Sequence, residues 1–246
     1  MSQAMTRQGT QALARPSFIK EGDTRGTENI TTADIRPPSL RIAQSTTPEA
    51  KASDTAYVDG LGEGMFFNSI TKEIYGRGPL DLVVVNQLGH RHIEFAPFNQ
   101  GGGVVDFNVP DGDPRTEFTT EVKDGKEVRT KPKATKFYDF LVLVNTPASG
   151  WQLMAISFKS TQLKKATTLN TILLGVKMPS FALLFKASPV AEKRGTNTFF
   201  GWRIDQAGYV TEDVYIEASK IYDSLVGKKV EVTVENDEPT KSDDAF

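Results

Sequence analysis

The chain contains no cysteine, and only two histidines and two tryptophans among its 246 residues. Without a thiol it forms no disulfide, builds no thiolate metal centre and offers no cysteine nucleophile, which fits a reducing compartment. Long apolar runs are also missing, since none approaches the ~20 residues that a membrane-spanning helix requires. The opening stretch, MSQAMTRQGTQALARPSF, lacks the apolar core of a secretory signal. These absences lead us to expect a soluble, cytoplasmic protein with no membrane partner. Catalytic signatures are absent as well, because no Walker-type loop, nucleophile elbow or HExxH motif occurs. Gly101-Gly102-Gly103 has neither the lysine nor the helix of a phosphate cradle and reads as a turn. The carboxylates Asp81, Glu94, Asp106 and Asp139 have no spacing that selects them as a metal set. We therefore expect no cofactor and no enzymatic activity.

What the chain does have is an uneven distribution of charge. Residues 1–120 carry 11 Lys+Arg against 15 Asp+Glu, residues 121–203 carry 14 against 5, and residues 204–246 carry 4 against 11. A net charge of −2 thus hides a middle of +9 followed by an end of −7. Such a middle attracts a polyanion, and such an end competes for the same surface.

Residues 1–38 are rich in Thr, Gln, Arg, Gly and Pro without apolar periodicity and read as a flexible arm. A single domain is expected over 39–235, entered through Pro37-Pro38, which force an extended backbone into Leu40 and Ile42. Two short strands are expected around Ser69–Lys72, and Leu80–Leu88 is a continuous apolar run that reads as a buried strand. In the HRHIEF run that follows, alternation puts His90, His92 and Glu94 on one strand face. Imidazoles and a carboxylate suit zinc or iron, but a solvated strand face has the same alternation and no fourth ligand is identifiable, so no metal site is assigned. Asp124-Gly125 between Glu121-Val122 and Glu127-Val128 predicts a hairpin, and with it a protruding β-arm near 114–130.

Between Lys131 and Arg203 positive charge and aromatic rings are interleaved. Strands are expected at Lys136–Asn145, Trp151–Phe158, Phe181–Ala187 and Thr198–Ile204. A helix is expected over Ser160–Leu174, with Ser160 as cap and Gly175 at its end, and a second over Glu212–Val226 with Thr211 as cap. KKVEVTVE, residues 228–235, reads as a last strand. The predicted fold class is mainly β with minor helix: an elaborated OB-fold-like barrel with one inserted helix and one C-terminal helix. Lys131, Lys133, Lys136, Lys159, Lys164, Lys165, Lys193, Arg194 and Arg203 are candidates to track a nucleic-acid backbone. Phe137, Tyr138, Phe199, Phe200 and Trp202 are candidates to stack unpaired bases, although aromatics on strands more often face a core.

The last eleven residues, NDEPTKSDDAF, combine acid, Pro and Ser with one terminal ring and are expected to be disordered. An acidic segment ending in Asp243-Asp244-Ala245-Phe246 resembles the C-terminus of the replicative single-stranded-DNA-binding proteins of bacteria and tailed phages. GTENITTADIRPPSLRIAQSTTPEA, GEGMFFNSITKEIYG and SFKSTQLKKATTLNTIL are similar in order to the phage, OB-fold branch of that family. The resemblance implies binding of single-stranded DNA in phage DNA replication and recombination, within the host cytoplasm. It further implies that Asp243, Asp244 and Phe246 engage replication proteins such as DNA polymerase and helicase or primase, and that the tail folds back on its own DNA groove. The chain departs from the bacterial type in lacking a long Gly/Gln-rich linker, so a monomer or homodimer is expected rather than a tetramer. A virion structural or assembly protein and a metal-dependent nucleic-acid enzyme are the alternative readings.

Overall fold

The computed structural model describes residues 36–97, 103–123 and 125–227, together with 26, 230 and 232. Among the described residues the chain is mainly β with two α-helices, as expected. Its main sheet is antiparallel throughout and has the order β11-β10-β4-β8-β9, with β5 added beside β4. The strands are β4 (Leu80–Phe95), β5 (Val104–Val109), β8 (Ala134–Thr146), β9 (Gly150–Lys159), β10 (Leu183–Arg194) and β11 (Asn197–Tyr209). Helix α1 (Leu163–Gly175) joins β9 to β10, and α2 (Glu212–Leu225) follows β11. A smaller sheet holds β1 (Leu40–Ile42), β2 (Phe66–Asn68) and β3 (Ile74–Gly76), and a separate hairpin holds β6 (Thr119–Lys123) and β7 (Lys126–Thr130). Read along β4, β8, β9, β10 and β11, this is the five-strand arrangement with a helix inserted before the fourth strand that the OB-like reading requires.

The apolar run from Leu80 and the HRHIEF segment form one strand, longer than expected from sequence. Register shifts between Val84 and Asn86 and between Gln87 and His90, with Gly89 at φ +93°, bend it. Such bulges increase local twist and let a long strand curve round a core. The curvature gathers alternate side chains of five strands into one cluster, among them Leu82, Phe140, Ile156, Phe158, Phe185 and Trp202. Leu40 and Ile42 of β1, Phe66 of β2 and Ala166 and Leu169 of α1 close that cluster. On the opposite face of the sheet Val83, Val85 and Leu143 pack with Phe181 and with Val214 and Ala218 of α2.

The main-sheet path leaves two edges, β9 and β11, and the stretch around β1 spans from one to the other. At β9 the Ala155 N–H donates to the Pro38 carbonyl at 2.8 Å, and Ser39 forms a parallel bridge with Ala155. At β11 the Gln44 side chain acts as a strand residue would: its Nε2 donates to the Phe200 carbonyl and its Oε1 accepts from the Phe200 N–H, each at 2.8 Å. Gly64 stays clear of the same place, since a Cβ there would lie 2.6 Å from the Phe200 ring.

Helix ends differ from the sequence expectation. Ser160 starts a 3-10 turn, Ser160–Gln162, with φ +50° and makes no cap, and the left-handed residue after α1 is Lys177 rather than Gly175. The Thr211 hydroxyl donates to the Asp213 carboxylate instead of capping α2, which holds Asp213 below the usual carboxylate range. The hairpin turn lies where Asp124-Gly125 predicts it. Positions 230 and 232 are not in a strand; the remainder of 228–235 lies outside the described residues.

Replacing Gln44 by alanine leaves the Phe200 N–H and C=O without these partners. Denaturant unfolding is expected to show a loss of about 1–3 kcal/mol; an unchanged midpoint would show the closure to be idle. Tyr75 tests the same small sheet through pH. Burial, followed by the charge of Glu73, pushes its phenol up to about 12. A phenol whose folded pKa is raised contributes stability below its ordinary value of about 10, and that contribution is lost as pH climbs towards 12. Ultraviolet titration is expected to show a tyrosinate component near pH 12 that Tyr75→Phe abolishes.

Candidate nucleic-acid interface

The ladder between β4 and β8 sets the two faces of the candidate site. His90 pairs with Tyr138, Arg91 with Phe137 and His92 with Lys136, while Phe137 pairs across β8 with Lys159 of β9. Cross-strand partners share a face and neighbours alternate, so the basic and aromatic residues of this stretch separate into two groups. His90, His92, Lys136 and Tyr138 continue the face that lines the main core. Arg91, Phe137, Asp139 and Lys159 lie on the other.

On the first face Lys136 Nζ stands 5.0 Å from the Tyr138 ring centroid, and the His90 and Tyr138 rings are 5.8 Å apart. Tyr138 and Lys136 are half-buried. Opposite them stands Asp111, on the turn after β5, with Oδ2 2.9 Å from His90 Nε2 and Oδ1 3.0 Å from His92 Nδ1. His92 is pushed below the usual imidazole range, first by burial and then by Lys136 and His90, against the opposing pull of Asp111. Asp111 is itself held low, chiefly by its hydrogen bond to His90.

The turn that carries Asp111 is fixed by Arg115. The guanidinium reaches Glu94 at 2.7 Å, Asp106 at 3.2 Å and both oxygens of Asp113, at 3.0 and 2.8 Å. Asp113 is held at about 2 by these bonds, and Arg115 is pushed further above its ordinary range. Glu94 is therefore committed to Arg115, and the carboxylate beside the two imidazoles is Asp111, which the two-residue alternation along β4 cannot reveal.

On the second face Arg91 Nε lies 2.7 Å from Asp139, and Asp139 also accepts from the Ser157 hydroxyl. Arg91 Nη1 donates to the Val232 carbonyl at 2.9 Å, so the chain after α2 returns to this face of β4 and β8. Arg91 and Lys159 stand 5.9 and 5.8 Å from the Phe137 ring centroid.

Several sequence candidates are corrected here. Phe137 and Trp202 are only 2% and 7% exposed, because each belongs to a packed strand face, so neither ring is available to stack on a base. Trp202 packs 5.2 Å from Phe66 and 5.9 Å from Phe158. Phe200 lies against Gly64, with Arg77 6.0 Å from its centroid, and so is already covered in part. Lys165 donates to Glu192 and, at 2.6 Å, to the Trp202 carbonyl, while Gln162 accepts from the Trp202 N–H at 2.9 Å. Its ammonium is thus committed to the edge of β11. Arg203 is exposed but bonded to Asp205 at 2.7 Å.

Lys131, Lys133, Lys164 and Lys193 are exposed, and Lys136, Lys159, Tyr138 and Phe199 are half-buried. Gln162 and Lys165 join the turn after Lys159 to β11 and Glu192, so the end of β9 and the β10–β11 hairpin approach one another. The Arg194 side chain and residues Asp243, Asp244 and Phe246 lie outside the described residues. Among the exposed rings that sequence reasoning did not single out are Phe107 and Phe118, the latter with the Arg129 guanidinium 4.1 Å from its centroid on the arm. Phe118 precedes the alternation of β6, which is the signal that could have marked it. No described helix is long and apolar enough to cross a membrane.

A protein-family model described as Pam3 phage gp34-like protein matches residues 7–231. No curated protein and no solved structure matches the chain.

Proposed function

We propose, from the premise that this chain belongs to the Pam3 phage gp34-like protein family, that it binds single-stranded DNA with little sequence preference during phage replication or recombination. The observation that carries this reading is the fate of the two acids between Lys131 and Arg203. Asp139 is buried against Arg91 and Ser157, and Glu192 is bonded to Lys165 and Gln162. With both acids engaged internally, neither is left to offset the segment's exposed lysines Lys133, Lys164 and Lys193, which supports a positive field over it. Half-buried Tyr138 and Phe199 supply ring faces, and Lys136 stands beside the first of them. In OB-type folds the second and third strands and the loops after the first and fourth take up oligonucleotides. Here those are β8, β9, the connection that carries the arm, and the β10–β11 turn.

A binder is favoured over a hydrolase because each of the four scattered carboxylates is already paired with a cationic side chain. Asp81 pairs with Lys186, Glu94 and Asp106 with Arg115, and Asp139 with Arg91. The acidic end, with Asp243, Asp244 and Phe246, is proposed to recruit replication proteins and to compete for the basic surface. Val232 on Arg91 supports that role, since it brings the chain towards the face that carries Lys159.

Band shifts with an oligonucleotide and its duplex at two salt concentrations test the reading. Single strands are expected to bind more tightly, with an affinity that falls steeply as salt rises. Lys131→Ala with Lys133→Ala should lower the slope of log affinity against log salt by about 0.7 per charge removed. Tyr138→Ala should weaken every sequence by about 1–3 kcal/mol, the scale of one lost stacking contact. No binding at low salt, or magnesium-dependent loss of the labelled oligonucleotide, would overturn the proposal. A chain ending at Glu235 is expected to bind single-stranded DNA more tightly than the full chain; equal affinity would remove the tail from the mechanism.

A further inference from the structure

The two histidines of the chain stand together with one carboxylate in an arrangement that hydrogen bonding alone does not account for. His90 and His92 are two apart on β4, on one face, with their rings edge to face at 84° and centroids 5.7 Å apart. Asp111 is brought to them by the β4–β5 ladder, in which His92 pairs with Val109, followed by a turn closed by the Asp113 N–H on the Pro110 carbonyl. Gly112 takes φ +83° in that turn, and Arg115 clamps it to β4 through Glu94. The carboxylate is therefore placed by backbone and by a second set of ion pairs.

Within this cluster His92 Nδ1 is the unexplained atom. It is buried and lies 3.0 Å from Asp111 Oδ1, yet the direction of that contact satisfies no hydrogen bond. A short but badly directed approach of a buried imidazole nitrogen to a carboxylate is what two ligands of a shared cation look like. The donor atoms of His90, His92 and Asp111 all lie within 4.8 Å of one another. Tetrahedral zinc would draw such donors to about 3.4 Å apart, given bonds of about 2.1 Å, and the exposed His90 side chain has room to make that adjustment.

We infer that His90 Nε2, His92 Nδ1 and Asp111 form a binding site for a divalent first-row transition ion. Two imidazole donors favour zinc or iron over magnesium or calcium, which prefer oxygen. Asp111 is 67% exposed, so the remaining coordination positions face solvent and the ion is exchangeable, unlike one closed in by four protein ligands. The neighbouring cation Lys136 disfavours a bare ion and favours one that carries an anion on its open side. The site would tie the turn after β5 to β4. It stands independently of the nucleic-acid reading, because all of its donors and the clamp behind them are properties of this ladder.

The sequence makes the test clean. With two histidines and no cysteine in the whole chain, imidazole or thiolate ligation of a metal has no other place to occur. Untagged full-length protein is titrated with Zn²⁺ by calorimetry and with Co²⁺ by visible absorption. One ion per chain is expected, with a cobalt d–d band. Asp111→Asn and His90→Ala, both at exposed positions, should each weaken binding by at least about tenfold while far-ultraviolet circular dichroism stays unchanged. Absence of stoichiometric Zn²⁺ and Co²⁺ binding, or equal binding by both variants and the parent chain, would overturn the inference and leave the imidazoles as plain partners of the carboxylate.

Discussion

An edge strand turns the N–H and C=O of every second residue away from its sheet, and those groups must find partners wherever they are shielded from water. In β11 the groups in question belong to Phe200 and Trp202. Gln44 pairs with both backbone groups of the first, Gln162 with the N–H of the second, and Lys165 with its carbonyl. Three side chains from two distant segments thus take the place of a neighbouring strand. The stretch around β1 is held against β11 by Gln44, and the start of α1 by Gln162 and Lys165. Both β1 and α1 contribute to the lining of the main core, so the seal around Trp202 and Phe158 rests on the same few bonds.

This arrangement decides which charges are available. Lys165 and Glu192 lie in the basic segment, yet they neutralise one another in the course of satisfying β11. Asp139 is withdrawn in a comparable way by Arg91 on the far face of β8. What remains on the surface is a set of lysines in turns, at a helix start and in the connection that carries the arm. The histidine face and the Arg91 face lie back to back on the same two strands, so a ligand on one does not contact the other directly.

Much of the fold is legible in the sequence because its signals are local. Apolar runs bounded by turn residues mark β8 and β9 to within a few residues and the starts of β10 and β11, which run on to Arg194 and Tyr209 as a longer hairpin. The inserted helix shows its period at Ala166, Leu169 and Leu173. Facing is less legible. Phe137 and Tyr138 are adjacent and equally aromatic, and only the pairing of β8 with β4 tells which one is sealed in. Lys165 is indistinguishable by composition from Lys164, although one is committed to the Trp202 carbonyl and the other is exposed. Asp111 lies nineteen residues beyond His92 in the chain and reaches it only because β5 doubles back along β4. No spacing rule along a single strand can identify such a partner.

The hairpin of β6 and β7 pairs only with itself in the sheet order, and its side chains are almost all in solvent. It is inserted in the long connection from β4 to β8, whose ends are fixed by their own ladder. For a flexible excursion of this kind the entropy of closure grows only as the logarithm of length, about 0.6 kcal/mol for each doubling. The main sheet is therefore nearly indifferent to the size of what it carries there. That excursion is where the architecture tolerates insertion and deletion, and where related chains are free to diverge in reach without renegotiating the core.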